Sequence, residues 1–146
     1  SGHQRTVAEA REALAAATRA FVTRPCDLPR VEDLEVAGQN GPIPLRLYRP
    51  QPEEALPVIL FVHGGGHMAG GIDVYDPLAR RLASSTRHLV VAVDYRLAPE
   101  HPYPAGPDDC EAAAKWLLDN GSSEFGADRM ALLYELLQEF HRSVEA

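Results

Sequence analysis

The sequence has few of the residues that mark disulfide-rich, metal-binding or cofactor-dependent proteins. Its 146 residues include two cysteines, Cys26 and Cys110, which are too few and too far apart for a disulfide framework or a metal site. Among six histidines, His63 and His67 are four residues apart, but the three glycines between them remove the helix that would place both rings on one face. We therefore predict free thiols, no metal and no cofactor.

The chain also lacks an excess of positive charge and a long apolar segment. Lys and Arg total 14 against 21 Asp and Glu, a formal net charge of −7, without a basic cluster. A nucleic-acid partner, which needs positive charge against the phosphates, is therefore not expected. Because no run of about 18 apolar residues and no signal segment occurs, we expect no membrane span and a cytoplasmic location. Hydrophobic residues make up 45% of the sequence, which suits one globular domain.

Apolar periodicity predicts helices and strands that alternate along the chain, as in an α/β fold. The turn signal Asn40-Gly41 joins two alternating segments and predicts an antiparallel hairpin. The predicted helices are Val7–Val22, Asp76–Ser84 and Asp108–Asn120, and the predicted strands are Val31–Val36, Pro44–Tyr48, Val58–Val62 and Leu89–Val93. The third helix is expected to end at Asn120-Gly121, and Arg129–Leu133 could begin a fifth strand.

The segment His63-Gly64-Gly65-Gly66 is the first motif with chemical meaning, because it follows the apolar run Val58–Val62 directly. Glycines have no Cβ, so their backbone N–H groups can approach a ligand closely and hold an oxyanion. A glycine run after a strand can also serve only as a tight turn. The motif therefore needs a second signal before it indicates a site.

That second signal is Asp94-Tyr95-Arg96-Leu97-Ala98-Pro99-Glu100-His101-Pro102-Tyr103-Pro104-Ala105, which follows the apolar run Leu89–Val93. Together the two motifs resemble the hormone-sensitive-lipase-like branch of the α/β-hydrolase carboxylesterases. The resemblance implies an α/β fold with a partial hydrolase sheet, in which an N-terminal hairpin precedes parallel strands with crossover helices and the C-terminal side is incomplete. It divides one partial domain, 1–146, into a helical cap segment at 1–25, a core at 26–131 and a divergent helical tail at 132–146.

The resemblance also implies a site and an activity. The implied oxyanion hole is formed by the backbone N–H groups of Gly64, Gly65 and Gly66, and the implied supporting residues are His63, Asp94 and Tyr95. Ala98-Pro99 or Tyr103-Pro104 is expected to be a cis peptide. The implied activity is hydrolysis of short-chain acyl esters by a Ser-His-Asp mechanism.

The sequence departs from the family where the nucleophile is expected, because Gly-x-Ser-x-Gly occurs nowhere in it. Tyr134, Leu136 and Gln138 take the positions of the first glycine, the serine and the second glycine. Leucine has no attacking oxygen, and in the family the Asp and His of the triad come later, so we expect the chain alone to be inactive. The tail residues with the spacing of an amphipathic helix are Leu132, Leu133, Leu136, Leu137 and Phe140.

Three hypotheses remain open on the sequence alone. The chain is the N-terminal part of a carboxylesterase, a noncatalytic binding or assembly module, or one chain of a split hydrolase whose complementary half brings the nucleophile. The reading frame beyond codon 146 would distinguish them. Because a sheet that stops after its fifth strand leaves an apolar edge, we also expect a homodimer or larger oligomer. The residues expected at this interface are Leu133, Leu136, Leu137 and Phe140.

Overall fold

A computed structural model of the chain describes residues 6–21, 26–52, 55–126 and 130–134. Helices and strands alternate after an initial hairpin, which confirms the predicted α/β class. The elements in chain order are α1 (Val7–Phe21), β1 (Arg30–Gly38), β2 (Gly41–Arg49), β3 (Val58–Val62), α2 (Ile72–Thr86), β4 (Leu89–Val93), α3 (Ala105–Phe125) and β5 (Met130–Tyr134).

The five strands form one sheet in the order β1-β2-β4-β3-β5. The antiparallel hairpin of β1 and β2 closes where Gly38 pairs with Gly41, as the Asn-Gly signal predicted. β2 then pairs antiparallel with β4, whereas β3 pairs parallel with both β4 and β5. This is the predicted partial hydrolase sheet, and β3 lies inside it with a neighbour on each side.

The two faces of β3 belong to two different hydrophobic clusters. Val58, Leu60 and Val62 belong to the cluster that includes Ala113 and Leu117 of α3. Ile59 and Phe61 belong to the cluster that includes buried residues of α2. Because side chains alternate along a strand, a strand covered on both faces is apolar at every position. This burial explains the continuous apolar run from which the strand was predicted.

The helix α3 corrects one prediction, because it passes through Asn120-Gly121 and ends five residues later. Asn120 does not cap the helix end; its Nδ2 donates to the Trp116 carbonyl one turn earlier at 3.0 Å. Gly121 is buried inside the helix. The helix ends instead at Phe125. The next residue, Gly126, has a left-handed φ of 70°, and its N–H donates to the Ser122 carbonyl at 3.0 Å.

The end of the described chain corrects the boundary of the predicted helical tail. Met130–Tyr134 is strand β5, in register with β3 from Val58 opposite Met130 to Val62 opposite Tyr134. Residues 132–134 therefore belong to the sheet, because pairing along β3 satisfies their backbone groups and outweighs the helical spacing of the leucines. Leu136, Leu137 and Phe140 lie outside the described residues.

The helix α2 begins four residues before its predicted start, at Ile72, where the glycine-rich loop ends. Within the described ranges, no helix combines the length and the apolar character needed to cross a bilayer.

Candidate functional site

The two sequence motifs meet at one edge of the sheet. His63–Gly71 follows β3 and Asp94–Pro104 follows β4, and these strands are parallel neighbours. The carboxyl ends of parallel strands are where α/β proteins place their binding sites. The hydrogen bond from the Ala98 N–H to the His67 carbonyl, at 2.9 Å, joins the two loops directly.

The conformation of the segment Gly65–Ala69, called here the oxyanion turn, requires a glycine at position 65. Gly65 has a φ of 121°, which L side chains rarely adopt, and a Cβ there would lie 2.1 Å from the Ala69 carbonyl oxygen. Gly66 has a φ of 65°, but a Cβ there would meet no atom within 4 Å. The turn closes because the Gly65 carbonyl accepts the N–H groups of Met68 at 3.2 Å and Ala69 at 3.0 Å.

The direction of two backbone N–H groups follows from the carbonyls beside them. A trans peptide is planar, so the N–H of one residue points opposite to the carbonyl of the residue before it. The Gly64 carbonyl is held at 2.7 Å by Nδ1 of His63, and the Gly65 carbonyl is held by the turn. These bonds orient the N–H groups of Gly65 and Gly66, and in the described ranges neither N–H donates to a protein acceptor.

His63 is a neutral ring packed between two tyrosines. It is 2% exposed, and its ring lies 4.3 Å from that of Tyr95 and 5.2 Å from that of Tyr75, near parallel to both. The Tyr95 hydroxyl donates to the His63 carbonyl at 2.7 Å. Burial lowers the pKa of His63, so the ring carries no charge at neutral pH. The bond to the Gly64 carbonyl therefore assigns the proton to Nδ1.

Gly70 is a site residue that the sequence analysis missed. A Cβ on Gly70 would lie 2.6 Å from Nδ1 of His63 and 2.8 Å from the Gly64 carbonyl oxygen. A side chain there would break the bond that orients the Gly65 N–H. The only signal in the sequence was the second glycine pair, Gly70-Gly71, which begins eight residues after Val62, the last residue of the strand.

Asp94 lies at the far end of the glycine loop. Its Oδ1 accepts the N–H of Ile72, the first residue of α2, at 3.3 Å, and a Cβ on Gly71 would lie 3.5 Å from the same oxygen. A carboxylate near the first N–H groups of a helix is favoured by the helix dipole. The structure thus places His63 and Tyr95 against the oxyanion turn and Asp94 at the junction of the loop with α2.

The loop after β4 is fixed by an ion pair that the sequence did not single out. Asp109, which is 5% exposed, accepts the Arg96 backbone N–H at 2.9 Å and binds the Arg96 guanidinium through both carboxylate oxygens. Bidentate pairs of this kind hold both partners in one orientation. Both Ala98-Pro99 and Tyr103-Pro104 are cis, so both peptides considered from the resemblance adopt that form.

The described residues bring no activated nucleophile to the turn. The serines at 84, 85, 122 and 123 lie in the last turns of α2 and α3, and these helices run away from the carboxyl edge of the sheet. Burial raises the pKa of the Cys110 thiol to about 12, so it is not a thiolate at neutral pH. In the same ranges no three metal-ligating side chains come together. The geometry provides oriented hydrogen-bond donors and no attacking group.

The first prediction compares the two glycines of the turn. We expect Gly65→Ala to lower the free energy of unfolding by more than about 2 kcal/mol, because backbone strain adds to the clash with Ala69. Gly66→Ala should cost about 1 kcal/mol, because it meets no atom and pays only for the left-handed backbone. Urea unfolding followed by circular dichroism measures both, and equal losses would contradict this account of the turn.

The second prediction concerns pH. The pKa of His63 is lowered in the folded chain from its ordinary 6.5, so below that pH the unfolded chain takes up the proton more readily. The contribution of His63 to stability is therefore complete above about pH 6.5 and is lost as the pH falls below it. We expect His63→Gln to reduce the fall in unfolding free energy between about pH 7.5 and about pH 5.5.

His101→Gln is the matched control, because it makes the same substitution at an exposed histidine. Urea unfolding at several pH values gives the slope for each variant. If His63→Gln and the unmodified chain show the same slope, the buried ring is not the group that titrates.

Comparison with known proteins agrees with this geometry. The profile of a family described as alpha/beta hydrolase fold matches residues 59–133, from β3 to β5. Carboxylesterase NlhH of Mycobacterium tuberculosis is 46% identical over 128 residues, a match that covers 84% of this chain and 40% of NlhH. Esterase LipI of the same organism is 47% identical over 102 residues, covering 68% of this chain and 32% of LipI.

A solved structure shows the same fold. The esterase of Pyrobaculum calidifontis superposes with a TM-score of 0.79 at 40% sequence identity, covering 88% of this chain and 43% of that protein. The chain spans about 40% of the length of NlhH, so these relatives extend well beyond the region they share with it. The fold of this chain thus has counterparts in esterases, and the chain belongs to the α/β-hydrolase family, in its hormone-sensitive-lipase-like carboxylesterase branch.

Proposed function

We propose that this chain supplies the oxyanion-hole side of a carboxylesterase site that acts on short-chain acyl esters. The observation that carries the proposal is the pair of oriented N–H groups at Gly65 and Gly66, neither of which has a protein acceptor in the described ranges. Donors held in place before the reaction stabilise the charge that develops on a carbonyl oxygen during acyl transfer. The relatives named as carboxylesterases and esterases support the same chemistry.

The chemistry assigned to the turn is electrostatic. When a nucleophile forms a bond to the ester carbonyl carbon, the π electrons of the C=O bond move to the oxygen, which becomes negatively charged. The N–H groups of Gly65 and Gly66 hydrogen-bond to this oxygen. Because the preceding carbonyls, those of Gly64 and Gly65, are already held, little reorganisation is needed. The Gly64 N–H precedes the left-handed turn, and Gly64 itself is buried, so we assign the two donors to the next two glycines.

We further propose that residues 1–146 do not hydrolyse esters by themselves. The sequence contains no Gly-x-Ser-x-Gly, and the resemblance places Leu136 at the nucleophile position. An oxyanion hole without an attacking group accelerates no acyl transfer by the nucleophilic route. The attacking group then has to come from sequence or from a chain other than these residues.

The third prediction tests this silence. Purified 146-residue chain should release p-nitrophenol from p-nitrophenyl acetate and butyrate no faster than a blank of equal protein concentration. Mass spectrometry after treatment with a serine-directed phosphonate should show no adduct. Turnover proportional to chain concentration and abolished by the phosphonate would disprove the inactive form of the proposal.

The oxyanion role itself is tested in a chimera. Residues 1–126 of this chain would be joined to the part of NlhH that follows the aligned position, which restores a complete hydrolase chain. We expect this chimera to hydrolyse p-nitrophenyl butyrate. Gly65→Ala should lower its kcat by about 10²–10³-fold, because the clash with Ala69 displaces the oriented N–H groups and so has the effect of losing an oxyanion donor. A Cβ on Gly66 meets no atom within 4 Å, so Gly66→Ala should leave both N–H groups in place and lower kcat much less.

A folded chimera that lacks activity would instead favour the noncatalytic binding or assembly module. An active chimera with unchanged kcat after Gly65→Ala would remove the oxyanion assignment.

We also propose that the chain pairs with a second copy through its sheet edge. β5 pairs with β3 alone among the described strands, which leaves its other side as the edge. An unpaired strand edge is a template for another strand, and a two-fold pair using one patch twice is the commonest arrangement. The leucines predicted on the apolar side of the following segment would extend the interface.

The fourth prediction is therefore a homodimer or larger oligomer in light scattering at tens of micromolar, because the edge and the adjoining leucines are buried in the pair. Leu136→Glu should lower either the apparent molar mass measured by light scattering or the solubility of the chain. Leu118→Glu is the control, because Leu118 is an exposed leucine of α3, 67% exposed, that is not part of the proposed interface. A monodisperse monomer that is unaffected by Leu136→Glu would exclude this interface.

A further inference from the structure

Arg11 is the side chain by which α1 reaches the oxyanion turn. Its Nε donates to the Met68 carbonyl at 2.8 Å, and its Nη2 donates to the Ala98 carbonyl at 3.2 Å. Nη2 also pairs with Oε2 of Glu100 at 2.6 Å. One guanidinium therefore joins three segments: the helix α1, the oxyanion turn and the loop that follows β4.

The carbonyl that Arg11 holds belongs to the residue that orients the turn. The Met68 N–H donates to the Gly65 carbonyl, and the Met68 carbonyl accepts from Arg11, so the residue is fixed on both sides. Ala98 is held in the same way, because its N–H donates to the His67 carbonyl while its own carbonyl accepts from Arg11. Removing the guanidinium frees one side of each link.

Leu14, one turn further along α1, contacts the same place. Its Cδ2 lies 3.0 Å from the position that a Cβ on Gly65 would occupy. Residues three apart lie on one face of a helix, so Arg11 and Leu14 present a polar and an apolar contact together. The helix α1 thus rests on the turn by both kinds of interaction.

The second arginine of α1 makes no such contact. Arg19 pairs within the helix, with Oε1 of Glu12 at 3.0 Å, and its side chain is 65% exposed. The Arg11 side chain is 35% exposed and bonds to groups 57 and more residues away. Two arginines on one helix therefore differ in their partners, which gives a matched control.

We propose that Arg11 is a positioning residue that couples the docking of α1 to the geometry of the oxyanion turn. This rests on the proposed function, because the turn affects acyl transfer only if its N–H groups serve an oxyanion. The planar guanidinium donates to two carbonyls and a carboxylate at once, which the single nitrogen of lysine cannot do in the same geometry. Loss of Arg11 leaves the Met68 carbonyl without this donor and loosens the Gly65 carbonyl that directs the Gly66 N–H.

Amide hydrogen exchange, followed by NMR on the whole 146-residue chain, tests the coupling without substrate. In Arg11→Ala we expect the N–H groups of Met68, Ala69 and Ala98 to exchange about tenfold faster, the factor that one hydrogen bond is worth. The amides of β3 and β4 should keep their rates, because those strands are paired independently of α1. Arg11→Lys should behave like Arg11→Ala.

Two further variants separate the contacts. Arg19→Ala should leave every one of these rates unchanged, because its partner lies within α1. Glu100→Gln removes the ion pair but keeps the bond to the Met68 carbonyl, and it should change the Met68 and Ala69 rates by less than about twofold.

Four outcomes would overturn the proposal. They are unchanged exchange of Met68 and Ala69 in Arg11→Ala, faster exchange of β3 and β4 amides to the same degree, full protection in Arg11→Lys, and an effect of Glu100→Gln as large as that of Arg11→Ala. The first two leave no specific link from Arg11 to the turn, the third shows that the planar guanidinium is not required, and the last assigns the effect to the loop after β4. Because no turnover is measured, this result is independent of whether the chimera hydrolyses esters.

Discussion

The parallel pairing of β3 with a strand on each side is the interaction on which the rest of the structure depends. Both faces of β3 are also buried, so the strand has neither a free edge nor an exposed side. Hydrogen bonds along both edges and packing on both faces restrain this backbone, so the position of the residues that follow it is fixed. The loop His63–Gly71 begins directly after this strand, so the rigid sheet fixes the position of its first residue. Stability of the core and orientation of the site are two results of one arrangement.

Several elements could be predicted from the sequence because their patterns have few alternative explanations. The bounds of β3 and β4 follow from continuous apolar runs, and the hairpin follows from Asn40-Gly41. The end of α3 could not be predicted, because an Asn-Gly pair commonly ends a helix, whereas here Gly121 is buried inside α3. The strand β5 competes with a helical pattern of leucines, and only its pairing with β3 decides between them.

The sequence predicted the glycines of the site and, through the resemblance, the supporting residues His63, Asp94 and Tyr95. It did not predict Asp109 or Arg11. The motif His63–Gly66 predicts backbone donors, because glycines directly after a strand leave their N–H groups accessible to a ligand. The contacts that orient those donors come from sequence-distant groups: Tyr95 on the ring of His63, Asp109 on Arg96, and Arg11 on Met68. A long polar side chain reaches many places from one helix position, so periodicity alone does not identify its partner.

The stacking of His63 between two tyrosines has a consequence for the chemistry that any completed site could perform. The ring is neutral, and the two proposed donors are peptide amides, so these groups attract negative charge through fixed dipoles. Such dipoles do not weaken as protons are released with rising pH. In the proposed oxyanion role, the two amide donors would therefore add no titration step of their own to the pH profile of a complete enzyme, which would report the groups that activate its nucleophile.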